Sequence, residues 1–412
     1  MATLSSAVFP PSGTPRWRRW ALPAVLALSL VACGGGGDDP SPPAPPPDTG
    51  TPPEPPPELG RLLSAQPLRR FELPELAAAL AVPGEKMPAL VPRHAVDTYR
   101  LTYLTEDKKG ALVRASGLVA VPVRAGGAAS PVLSYQHATT FHDDRAPSLR
   151  LEPDQPPIAL AALGYIVVAA DYVGFGESHG QEHPYLQSRP SARVVLDMLH
   201  AAQAWRTGQG VADTGQLYLA GYSEGGYATM AAQREIERSA SPLRAQLRAS
   251  VPGAGPYDVQ VTLDTQLLRL RSEYPALAWA LRPGTLRHLG STVRKEVRRL
   301  LMRAMVPDDA DVAYQTKVLD DYMADDRQAI EQDASVHWGW TPGAPVYLFH
   351  GRDDKTVPFE AAQAALQTLS ASGGAPVSLR ECSQAQPTGH LECVPEYFTY
   401  ALSVIGQTAA GR

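Results

Sequence analysis

From about residue 95 the chain alternates short β-rich runs with longer stretches of helical periodicity, and no other feature restricts its fold so strongly. "VDTYRLTYLTE" and "ALVRASGLVAVPV" read as an antiparallel opening pair, "PVLSYQHA" as a buried strand, "PPIALAALG" as a helix and "YIVVAADY" as another buried strand. "SARVVLDMLHAAQAWRTG" carries apolar residues at helical spacing and ends near Gly208. "QLYLAGY" is a strand, "GGYATMAAQREIERSA" a helix, and "LRASVPGAG" a strand that runs into a loop. Strands separated by helices build βαβ units. The expected architecture is therefore α/β, a doubly wound, mostly parallel sheet.

The rhythm stops near residue 259. Residues 259–342 are rich in helix formers, with a basic stretch "RHLGSTVRKEVRRLLMR" before an acidic one, "PDDADVAYQTKVLDDYMADD", and no β-rich run among them. We read this segment as a helical insertion over one end of the sheet, its charged runs being solvated helix faces. The sheet pattern then resumes with "PVYLFHG", the helix "FEAAQAALQTLSAS", the strand "PVSLREC" and a terminal helix around "PEYFTYALSVIG".

Within this pattern, "QLYLAGYSEGGYATMAAQ" joins a strand to a helix through Gly221-Tyr222-Ser223-Glu224-Gly225. A turn this tight needs small residues around the serine, and the helix N-terminus behind it supplies positive potential and backbone donors. A serine hydroxyl is a poor nucleophile without a positioned base, which is itself oriented by a carboxylate. His390 is the one histidine C-terminal to the last strand-like runs, and the neighbours Asp353 and Asp354 follow "PVYLF" in "FHGRDDKTVP". The alternative for the two aspartates is a solvated pair capping the helix that starts near Pro358.

Further stretches fit the same picture: "SYQHATTF" after the third of these strands, "DYVGFGES" after the fourth, and "HPYL" followed by "VLDMLHAA" before the strand that leads to Ser223. From about residue 95 onward the chain resembles the α/β-hydrolases, nearest to their secretory-lipase and esterase branch. In that family the triad follows in the order Ser, Asp or Glu, His, and Gly351, Asp354, Val357 and Pro358 match its Gly-x-x-Asp-x-x-Val-Pro pattern. The resemblance thus implies Ser223 as nucleophile, His390 as base and Asp354, in preference to Asp353, as the orienting acid. It implies an oxyanion hole from the backbone N–H groups of Glu224 and Thr139, with one departure, since Ala138 stands where the family has the glycine of His-Gly. It implies a lid at 259–342, a partly apolar ester substrate, and no metal or organic cofactor. Tannase and feruloyl-esterase relatives carry cysteine beside the nucleophile; Tyr222 and Glu224 stand there instead, which disfavours that subfamily.

Ahead of this domain the composition changes. Arg16, Arg18 and Arg19 precede "WALPAVLALSLVA", an apolar run too short to span a bilayer and placed where an export signal belongs. Its end, Leu30-Val31-Ala32-Cys33, resembles the bacterial lipobox, which implies a diacylated Cys33 and a membrane-anchored lipoprotein of the outer membrane or periplasm; the alternative is an ordinary signal and a secreted protein. Residues 34–60 hold a glycine run and 11 of the chain's 40 prolines, the composition of an extended tether, and leave 61–412 for the hydrolase domain. With Cys33 assigned to lipid, Cys382 and Cys393 remain, and in an oxidising compartment a disulfide between them is expected, closing a short loop around His390. A net charge of −5 and the lack of a basic block interleaved with aromatics set nucleic acid aside as a partner.

Weaker signals admit plainer readings. "HGQEH", His179 to His183, matches an inverted zinc-protease pattern, but Gly180 and Pro184 argue for a loop. "FHDDR", His142 to Arg145, reads as a solvated rim loop. His337, Trp338 and Trp340 either line the pocket or pack the insertion on the sheet, and Phe175 and Tyr222 either shape the site or serve the core. Two rivals to an esterase stay open: a serine peptidase of the same fold, which wants an acidic cluster such as Glu177, Glu182 or the insertion's aspartates in its cleft, and a tethered binding protein with a vestigial site.

Overall fold

The structure, a computed structural model, describes residues 58–409 apart from 85, 86 and 240. The expected signal segment, Cys33 and nearly all of the tether lie outside the described residues.

The domain opens with β1 (Leu62–Phe71), α1 (Leu73–Leu80), β2 (Val96–Glu106), β3 (Leu112–Pro122) and β4 (Ser130–Gln136). Then come α2 (Pro156–Ala162), β5 (Ile166–Ala170), α3 (Ser188–Gln209), β6 (Asp213–Tyr222), α4 (Glu224–Arg238) and β7 (Leu247–Gly253). The insertion contains α5 (Val259–Glu273), α6 (Ser291–Met305), α7 (Lys317–Met323) and the single turn α8 (Arg327–Ala329). The sheet returns with β8 (Val346–His350), α9 (Phe359–Ala371), β9 (Val377–Glu381) and α10 (Val394–Ala409).

One nine-stranded sheet runs in the order β1-β2-β3-β5-β4-β6-β7-β8-β9. Pairings from β1 to β2, β2 to β3 and β3 to β5 are antiparallel, and all the others are parallel. The strand period of two sorts residues between its faces. In β5, Ile166, Val168 and Ala170 enter one apolar core while Val167 and Ala169 enter the other. A strand buried on both faces reads as a continuous apolar run, which is why "IVVAA" was legible as one.

The first strand and helix were not anticipated. Most of β1 is exposed, its sequence shows no clean alternation, and it carries Pro67. It is an edge strand that exists through its ladder with β2, reinforced by Arg70, whose guanidinium donates two 2.7 Å bonds to Asp97. Helix α3 also ends slightly later than Gly208 suggested, at Gln209, with Gly210 taking the left-handed cap at φ 66°.

A third core unites the insertion with the body: Leu267, Leu301, Val318 and Tyr322 pack with Tyr227, Met230 and Leu348. The strand order then decides where a site can form. From β4 the chain turns through α2 to β5 on one side, whereas from β6 it turns through α4 to β7 on the other. Loops that leave adjacent parallel strands in opposite directions open a crevice at the strands' carboxyl ends. Residues 137–142 and Ser223 stand there.

Candidate active site

Ser223 is the cap of α4 and holds φ 59°, ψ −122°, a conformation that a non-glycine residue adopts only when its surroundings force it. The surroundings are unusually close. A Cβ on Gly225 would sit 2.1 Å from the carbonyl oxygen of Gln136, and one on Gly221 would sit 2.4 Å from that of Gly225. Only glycine lets β4, β6 and α4 meet at this distance, which explains the residue types around the serine. The N–H of Ser223 donates to the Gly253 carbonyl at 2.8 Å, and its own carbonyl accepts from Tyr227 at 3.0 Å, so the residue ends a strand and starts a helix at once.

The side chains expected to act with it meet there. Ser223 Oγ lies 2.8 Å from His390 Nε2, and His390 Nδ1 lies 2.6 Å from Asp354 Oδ2. The matching proton assignment has Nδ1–H donating to the carboxylate and Nε2 accepting from the serine hydroxyl. Asp354 Oδ1 accepts from the N–H groups of Thr356 and Val357, both at 2.8 Å. Burial pushes the Asp354 carboxyl up, but hydrogen bonds and charge from His350 and His390 outweigh that and hold it down at about 2. Asp353 does something else: its Oδ2 accepts from the Thr388 N–H at 3.0 Å and hydroxyl at 2.8 Å.

The loop carrying His390 is tied at several points. Cys382 and Cys393 form a disulfide with Cα atoms 6.0 Å apart. Tyr222 donates its hydroxyl to the His390 carbonyl at 2.7 Å, and Glu396 accepts from the N–H groups of Ser383 and Gln384 at 2.9 and 2.8 Å. Sequence reasoning anticipated the bridge but missed the other ties.

On the opposite side of Ser223, residues 137–142 carry Thr139. The His137 ring stacks on Tyr172 with centroids 4.0 Å apart, burial pushes its imidazole below the ordinary range, and the Tyr172 hydroxyl donates to the His137 carbonyl at 3.1 Å. The insertion holds this loop too. Asp311 donates its N–H to the Phe141 carbonyl at 3.1 Å, its carboxylate accepts from Asp143 N–H at 2.8 Å, and the Tyr314 hydroxyl donates to the Thr140 carbonyl. His183, which shares a β-bridge with Tyr314, reaches Glu224 Oε1 through Nε2 at 2.6 Å and the Val173 carbonyl through Nδ1 at 2.8 Å. The two histidines of "HGQEH" thus have separate partners, since His179 faces Asp143 at 3.5 Å. Among the described residues no cluster of His, Cys, Asp and Glu is arranged to hold a metal ion.

A cavity of about 770 Å³ opens over Ser223 and His390. Its walls are largely apolar, with Leu186, Leu263, Leu301, Met305, Val394 and Phe398 among them, and Thr139, Ala138 and Tyr222 also face it. Its charged lining side chains are Arg145, Arg150 and Arg269; no aspartate or glutamate lines it among the described residues. Glu177 and Glu182 are instead engaged by Arg114 at 3.2 Å and Lys108 at 2.6 Å. His337, Trp338 and Trp340 bond to the carbonyls of Tyr257, Glu331 and Val336, so they fasten the insertion. Phe175 packs edge-on to His137 and His183, beneath the cavity wall.

Residues 157–262 match the secretory lipase family. No curated protein matches the chain. Among solved structures, the rice cell wall degrading esterase LipA from Xanthomonas oryzae is similar, with 24% identity and a TM-score of 0.64 over 85% of this chain and 98% of that one. Candida antarctica lipase A is similar at 17% identity, with a TM-score of 0.56 over 86% of this chain and 83% of that one. Both likenesses show the fold. With this sheet order the chain has the α/β-hydrolase fold, and the elbow at Ser223 lies inside the stretch that matches the secretory lipase family.

Proposed function

We propose that the protein hydrolyses carboxylic esters through an acyl-enzyme on Ser223. Ser223 Oγ attacks the ester carbonyl carbon while its proton passes to His390 Nε2; the tetrahedral adduct collapses, and the same proton leaves with the alcohol. Water then attacks the acyl-enzyme, gives its proton to Nε2, and the acid departs as the proton returns to Oγ. Asp354 keeps the imidazole in the required tautomer and stabilises the imidazolium. The negative oxygen of each adduct is met by the N–H groups of Glu224, at the start of α4, and of Thr139.

What carries the reading is the continuous chain Asp354–His390–Ser223, at 2.6 and 2.8 Å, opening into a mostly apolar cavity. The cavity size and walls favour an ester with an apolar acyl or alcohol part. The peptidase rival fares worse, because a cationic peptide N-terminus calls for carboxylates and the charged lining is arginine. The test is hydrolysis of nitrophenyl esters of rising acyl length by wild type and by Ser223→Ala. Wild-type turnover with a variant reduced about 10⁴-fold or more supports the reading; equal rates in the two would end it.

For location, the apolar leader, the lipobox-like end at Cys33, the disulfide and the match to secretory lipases support export with a lipid anchor. Metabolic labelling with palmitate is expected to mark the wild type; label retained by Cys33→Ser would refute the anchor.

A further inference from the structure

His350, the last residue of β8, is fully buried and lies four residues before Asp354. Its Nε2 stands 2.9 Å from the Val357 carbonyl and 3.2 Å from Asp354 Oδ2, the same oxygen that faces His390. Its Nδ1 is buried without a partner. This asymmetry assigns the tautomer. A proton on Nε2 is shared by a carbonyl and a carboxylate, whereas a proton on Nδ1 would be buried with no acceptor. His350 therefore donates through Nε2, and Phe359, packed edge-to-face with centroids 5.8 Å apart, helps hold its ring.

We propose that His350 is a positioning residue for the reaction, its Nε2–H fixing Asp354 Oδ2 on the axis to His390 Nδ1. The proposal rests on the esterase reading above. Its physical content is that Asp354 has two oxygens and three kinds of donor. The backbone N–H groups of Thr356 and Val357 fix Oδ1. Oδ1 and Oδ2 turn together about the Cβ–Cγ bond, so without His350 the setting of Oδ2 would rest on the Oδ1 bonds and on His390, the group that must change charge during turnover. A second donor that takes no part in the proton transfer keeps Oδ2 in place through both protonation states of the base. The other titratable groups near Asp354 cannot take this part: the Tyr222 hydroxyl is committed to the His390 carbonyl, and Asp353 is turned to Thr388 with Lys355 acting on it.

Three variants separate positioning from packing. His350→Gln can place an amide N–H near the Nε2 position, His350→Asn is polar but too short, and His350→Met fills space without a donor. The expected result on a nitrophenyl ester is a kcat reduced about 10- to 100-fold in the Met and Asn variants, the scale of one hydrogen bond to a charged group. KM should stay within about twofold, and Gln should recover most of kcat. A second readout does not depend on turnover: the Nδ1 proton of His390, seen by NMR as a far-downfield resonance, should persist in His350→Gln and broaden or shift upfield in the other two. If the wild type hydrolyses no ester while this resonance responds as described, the function fails and the positioning role stands. Met and Asn variants with wild-type kcat and resonance would overturn it. So would equal losses in all three, which mean packing, or a failure of both Met and Asn to fold, which means His350 is needed for the fold itself.

Discussion

Two loops bring polar groups to Ser223, and they are held in different ways. The base loop, residues 382–393, is braced from within the sheet domain: by its disulfide, by Asp353 on Thr388 and by Tyr222 on the His390 carbonyl. The loop at 137–142 is braced largely by the insertion, through Asp311 and Tyr314, while His183 extends the same contact to the Glu224 side chain. Under the proposed mechanism, proton transfer is thus built on the sheet domain, and oxyanion binding is coupled to the insertion that lines the cavity. A change in the insertion should alter the stabilisation of negative charge without disturbing the base, and the reverse should hold for the base loop.

The comparison can be broken most severely at Asp354. Asp354→Asn should leave the fold intact and lower kcat about 10⁴-fold, since the imidazole then loses both its tautomer and its counter-charge; a loss under tenfold in steady-state assays would mean that this brace does not serve proton transfer. Next in size is the bridge. Replacing Cys382 and Cys393 together by alanine should cost roughly 3 kcal/mol in denaturant unfolding, by the loop-closure argument for so short a loop. kcat should fall as well, because the closed segment holds His390. Unchanged kcat in a folded double variant would show that the bridge serves stability alone.

Acid should act on the base side specifically. The folded Asp354 carboxyl titrates at about 2 against an ordinary 3.8, a depression, so its contribution to stability is complete above about pH 4 and is lost as pH falls through 2. The amount is about 2 kcal/mol, and Asp354→Asn should lack this portion of the acid dependence in unfolding experiments between those values. The smallest effect is expected at the insertion. Tyr314→Phe removes one hydrogen bond to the Thr140 carbonyl and should lower kcat roughly fivefold with KM and the pH profile unchanged. A shifted pH profile in that variant would show that the two braces are not independent.

The elements that could be read from sequence alone share a physical trait, in that their signals are local. A strand buried on both faces is a run of apolar residues, and the elbow needs its glycines within five positions because the close backbone approach happens there. Ser223, Asp354, His390 and the cysteine pair were legible for that reason or through the family pattern around them. What stayed hidden depends on distance along the chain. Strand β1 is defined by its partner, 41 positions away at Leu62 with Tyr103 and 25 at Phe71 with Val96, and not by its own exposed side chains. His183 and Glu224 are 41 positions apart, and Tyr314 sits in an acidic run that reads as a solvated helix face. His350 looked like the end of a strand, which it is; only its unpaired Nδ1 and the shared Oδ2 reveal more.

The most direct test of the central claim is covalent trapping. Incubation with a nitrophenyl alkylphosphonate, which mimics the tetrahedral adduct, should release one equivalent of nitrophenol, abolish esterase activity, and add one phosphonyl group to the peptide bearing Ser223 by mass spectrometry. An unlabelled Ser223 in protein that still hydrolyses esters, or a label on another residue that tracks the loss of activity, would contradict the account.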